Sequence, residues 1–216
     1  MLRSKGINIK IQIILMLVAY IMLSGCLNMA WVGYKKPLST DFVNVGCMEI
    51  GKQNLNTEQW KAIKAASSDV CLIFSDPEFK QWLTSKNWLA SCNKIYGKPD
   101  TISGLRVYDL LTKKTLKYSI HPHKPWNAEG QAETNESNIN LKRIAIIPSQ
   151  IEDWLSSVDT IRSRLINTIA HESVHILSDD FLDYDLHGSS VCPDSLLLSY
   201  AIGNMTEKIW LKHHKK

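Results

Sequence analysis

Apolar and polar positions along the chain follow two rhythms. Residues 57–66 (TEQWKAIKAA) are rich in good helix formers. Asp76-Pro77-Glu78 is a helix start: a capping residue, a proline at the first helical position and an acid in the first turn. A helix from there through Trp82 and another near residues 88–92 predict a helical N-terminal half. Gly97-Lys98-Pro99 marks a turn. Beyond it, residues 104–111 (GLRVYDLL) and 115–121 (TLKYSIH) read as β runs joined through Thr112-Lys113-Lys114 in a hairpin. Residues 122–140 are polar and irregular. Residues 141–147 (LKRIAII) form a further strand, stopped by Pro148. A short helix over 149–157 precedes a long one, capped by Asp159 and running through Leu177. An irregular C-terminal part follows. Helices, a small sheet, then a long helix make an α+β fold.

The chain has 216 residues, a length for one domain, and its hydrophobic content of 44% is ordinary. The start stands apart from the rest. Arg3, Lys5 and Lys10 precede an uncharged apolar run, IQIILMLVAYIML, over residues 11–23. That is short for a membrane span and shaped like an export signal. LSGC at 23–26 resembles the lipobox of bacterial lipoproteins. The resemblance implies cleavage before Cys26 and lipid on its thiol, with residues 1–25 as signal peptide. An uncleaved anchor helix is the alternative. Leu27 stands where an aspartate implies inner-membrane retention, so the outer membrane is the expected address in a cell that has one. Residues 26–40 then read as a lipidated tether and 41–216 as a single domain, exported and acting as a monomer.

Removing residues 1–25 takes three of the 25 basic residues and none of the 21 acidic ones, so the body is near neutral. The basic cluster KHHKK (212–216) reads as a solvated end rather than a nucleic-acid contact. Beyond Cys26 stand Cys47, Cys71, Cys92 and Cys192, an even count that invites pairing after export. Two disulfides are expected, one of them Cys71–Cys92. Cys192 could instead remain free near the histidines discussed next.

Residues 171–175 read HESVH. On a helical wheel, Arg164, Thr168, His171, His175 and Ser178 share one narrow stripe. Leu165, Ile166, Ile169, Ala170, Ile176 and Leu177 take the broad opposite side. Two imidazoles one turn apart can meet one ion. Zinc accepts such nitrogens at about 2.0–2.1 Å and leaves a position for water. Glu172, displaced around the axis, is placed to work on that water as general base. By composition alone, the pattern arises in roughly one such sequence in a hundred. Here the chain resembles the zincins, the HExxH zinc metallopeptidases. The resemblance is specific over His171–Glu172–His175 and looser over the strand before and the segment after. It implies zinc, a peptide or protein substrate, a sheet above the active helix and an edge strand that aligns substrate. Residues 141–147 are the expected edge.

A catalytic zinc wants a third protein ligand. The metzincin pattern would have Gly at 178 and His at 181, but Ser178 and Phe181 stand there. The gluzincin pattern leaves only Glu207 as donor, and the Gly-Thr pair of aspzincins is absent. His187, followed by Gly188, resembles the third ligand of SprT-like zincins and is the expected donor. Asp180, Asp183 and Asp185 are alternatives. SLLLSY (195–200) resembles a metzincin Met-turn with Leu198 in place of Met, which would put Tyr200 beside the oxyanion; an apolar helix is the simpler reading. His121 and His123 form a second pair, read as surface loop. The rival to a peptidase is a non-enzymatic lipoprotein whose histidines are structural or bind metal without turnover.

Overall fold

Five strands build the central sheet of the computed structural model. Residues 41–89, 101–122, 130–133, 142–177 and 197–214 are described. In chain order the strands are β1 (Phe42–Val45), β2 (Met48–Lys52), β5 (Leu116–Pro122), β6 (Gly130–Glu133) and β7 (Arg143–Ile146), arranged β1-β2-β5-β7-β6. β1 with β2 and β6 with β7 are antiparallel, whereas β5 runs parallel to both β2 and β7. The sheet is therefore small and mixed. A second, two-stranded sheet pairs β3 (Asn87–Leu89) with β4 (Thr101–Ser103). Among the described residues six helices accompany them: α1 (Thr57–Phe74), α2 (Pro77–Thr84), α3 (Gly104–Lys113), α4 (Pro148–Asp153), α5 (Asp159–Leu177) and α6 (Leu198–His214). Among the described residues, no helix is long and apolar enough to cross a membrane.

The helix starts follow from local chemistry. Asn56 accepts from Gln59 N at 2.8 Å while Gln59 Oε1 accepts from Asn56 N at 3.1 Å, a reciprocal cap that opens α1. Asp76 accepts from Glu78 N at 2.7 Å with Pro77 at the first helical position, as its sequence signal predicts. Two expectations fail here. Residues 87–89 are strand rather than the start of a second helix. The run 104–111 is helical, so there is no hairpin. Ser103 Oγ accepts from Arg106 N at 3.2 Å, and Gly104, Val107 and Leu111 are buried. That spacing is helical; Leu105, which a strand would bury with Val107, is 57% exposed.

Register and alternation put Met48, Ile50, Leu116, Tyr118, Ile120, Ile144 and Ile146 on one buried face of the sheet. Tyr118 marks the helix-facing side. Its hydroxyl lies 2.9 Å from Met48 Sδ and is hydrogen-bonded to Ser173 of α5. Burial pushes that hydroxyl well above the ordinary tyrosine range, and the Ser173 bond only partly opposes the shift. The phenol therefore serves α5 as a neutral anchor. His121 points to the opposite face and is 8% exposed, so it belongs to a buried strand rather than a surface loop. Its supposed partner, His123, lies outside the described residues. β7 is interior, flanked by β5 and β6, so residues 141–147 do not supply the sheet edge; β6 does.

Cys71 is bonded to Cys47, not Cys92. The bond ties the β1–β2 turn to α1. Gly46 makes that turn possible: its φ is +61°, and a Cβ there would stand 2.8 Å from the Cβ of Cys71. Cys92, Cys192 and Cys26 lie outside the described residues. The bridge closes a sequence separation of 24 residues. Loop entropy assigns a closure of that size about 3 kcal/mol. Urea unfolding of the Cys47→Ser/Cys71→Ser variant should show a loss of that order, and unchanged stability would make the bond dispensable.

Candidate metal centre

α5 begins within a cage of aromatic rings. The Arg162 guanidinium lies 4.6 Å from the Trp154 ring and 5.4 Å from the Trp210 ring, and Asp159 stands 3.5 Å from Arg162 Nη1. Further along, Leu165, Ile166, Ile169, Ala170, Val174 and Ile176 are buried. Burying each large aliphatic side chain stabilises by roughly 1.5–3 kcal/mol. Rotating the helix out of this setting would expose several at once, so the facing of its polar stripe is fixed. At the far end, the Lys142 ammonium donates to the carbonyl of Ile176, placing a cation on the negative end of the helix dipole.

The polar stripe is only partly open to water. Arg164 is exposed, Thr168 is buried and the two histidines are half-buried. α6, antiparallel to α5, packs along the flank of the stripe. Glu207 accepts from Ser163 Oγ at 2.6 Å and from Asn167 Nδ2 at 2.8 Å, and Asn167 also donates to Asn204 at 3.0 Å. Gly203 lets the backbones close: a Cβ there would meet Asn167 Oδ1 at 2.6 Å and the Asn167 carbonyl oxygen at 3.1 Å. One turn on, the Tyr200 ring meets His171 edge to face, with centroids 4.5 Å apart and planes at 82°.

His171 and His175 present their Nε2 atoms 3.2 Å apart, with ring centroids at 5.0 Å. Two nitrogens on a tetrahedral zinc, each at about 2.0–2.1 Å, stand about 3.3–3.4 Å from each other. The pair is therefore already set close to the bite a zinc ion requires. Glu172 is 5% exposed and joins them: one donor atom from each of the three residues lies within 4.8 Å of the others. Among the described residues this is the one group of three such side chains able to hold a metal ion.

The structure thus brings together His171, Glu172, His175 and Tyr200. Tyr200 lies in the first turn of a helix, so the apolar-helix reading of that segment holds, whereas the expected irregular C-terminal part does not: Leu198–His214 is helical. Glu207 is occupied with Ser163, eight residues before His171 and so about 12 Å away along the helix. His187, Asp180, Asp183 and Asp185 lie outside the described residues. Sequence reasoning missed the supporting contacts of Lys142, Asn167 and Gly203. The one signal available for them was Gly203 inside a helical run, which marks close packing. Comparison of the chain with protein-family models, curated proteins and solved structures returns no match.

Proposed function

We propose that the chain is an exported zinc metallopeptidase of the zincin kind, held at a bacterial membrane by lipid on Cys26. The observation that carries this reading is the 3.2 Å approach of two imidazole nitrogens beside a buried carboxylate. His171 and His175, with His187 as third donor, would hold zinc, which supplies Lewis acidity toward a peptide carbonyl at neutral pH. Glu172 accepts a proton from the attacking water and delivers it to the leaving amine. β6 stands at the sheet edge and packs against α5, so we place an extended substrate alongside it by strand addition.

A second reading has its own support. Nε2 atoms at 3.2 Å are also at hydrogen-bond distance, so with one ring donating the pair is satisfied without an ion. In that case the chain is a binding or structural lipoprotein. Metal content separates the two. The purified chain should hold one zinc per molecule after dialysis, and His171→Ala or His175→Ala should abolish it. A chain that stays metal-free under saturating zinc is the non-catalytic module.

A further inference from the structure

We propose that Tyr200 is a positioning residue for the metal centre: its ring holds the His171 imidazole in binding orientation, so metal affinity and the docking of α6 on α5 are coupled. The inference rests on the metal-site reading above.

An imidazole turns broadly about its last side-chain torsion. A free His171 would lose that freedom on binding an ion. Tyr200 removes much of it beforehand, because a ring set edge to face at 4.5 Å blocks rotation of its neighbour. The arrangement is specified by α6 as a whole. Ser163–Glu207, Asn167–Asn204 and the close backbone approach at Gly203 fix the register of the two helices. In that register residue 200 falls opposite residue 171. A shift of α6 by one residue would rise 1.5 Å and turn 100°, carrying the tyrosine ring away. His171 is thus supported by a second helix as well as by its own. Coupling of this kind is reciprocal: if α6 improves metal binding, bound metal must tighten α6.

The experiment titrates zinc into the full chain against a chromophoric chelator, for wild type, Tyr200→Phe and Tyr200→Leu. The metal-free unfolding midpoint of each is measured alongside. Tyr200→Phe keeps the ring and should bind within about two-fold of wild type. Tyr200→Leu should bind about ten-fold more weakly, the scale on which supporting groups act at metal sites, with the metal-free chain still folded cooperatively. Equal affinity in Tyr200→Leu overturns the proposal. So does an equal loss in Tyr200→Phe, which would place the effect in the hydroxyl. Should Tyr200→Leu fail to fold, amide exchange in wild-type α6 decides: zinc should slow it, and unchanged exchange overturns the coupling. A wild type that binds no zinc ends the metal-site reading itself and this inference with it.

Discussion

Glu172→Gln is expected to retain stoichiometric zinc and to lose about 10²–10⁴-fold in kcat for peptide hydrolysis, the usual share of a general base. The substitution is nearly isosteric, which matters at a side chain only 5% exposed. An amide cannot take up the proton that a carboxylate can, so the step that fails is proton transfer rather than folding. KM should change little, because the lost interaction is made in the transition state. The thermal midpoint should also hold, since no cavity opens. His171→Ala removes metal and activity together, whereas Glu172→Gln should remove activity alone. A Glu172→Gln protein that cleaves as fast as wild type would exclude the carboxylate from catalysis. Loss of zinc in that variant would instead make Glu172 a ligand.

How far this site could be read in advance depended on the range of each interaction. HESVH was legible because one helical turn brings residues i and i+4 together whatever the rest of the chain does. α2 was legible at its start for the same reason, since Asp76 and Pro77 act within four residues, and α1 was legible from its run of good helix formers, though its Asn56–Gln59 cap was not read. The Tyr200 contact joins residues 29 positions apart through a helix register that no local pattern encodes. β6 was hidden because GQAE is short and polar, inside a stretch that reads as irregular. Without it, the apolar run at 141–147 looked like the edge, although a strand buried on both sides is where apolar runs belong. Cysteine spacing likewise could not choose Cys47 over Cys92 as the partner of Cys71. The segment 104–111 was misread because its apolar positions suit either period. What decides it is tertiary: Val107 and Leu111 both reach the core, each at 0% exposure.

That same segment carries the largest stability prediction. Gly104→Ala should cost about 3 kcal/mol or more. Gly104 opens α3, where alanine would ordinarily favour the helix by about 1 kcal/mol. Here a Cβ would stand 1.7 Å from the Leu83 carbonyl oxygen, 2.7 Å from the Leu83 carbonyl carbon and 2.9 Å from the Lys86 carbonyl oxygen. All three are backbone atoms, so no side chain can swing aside. Gly104 N donates to that same Lys86 carbonyl at 3.0 Å, and the Trp88 indole donates to the Leu83 carbonyl at 2.9 Å. Making room for a methyl group means pulling α3 off α2. That breaks both bonds and opens voids beside Val107 and Leu111. The sign is therefore opposite to the one helix propensity alone would give, and a urea midpoint measures it directly. Leu105→Ala, one residue on at a 57% exposed position, is the control and should stay within about 0.5 kcal/mol of wild type. A stabilised Gly104→Ala protein would mean that α3 does not meet α2 at this distance.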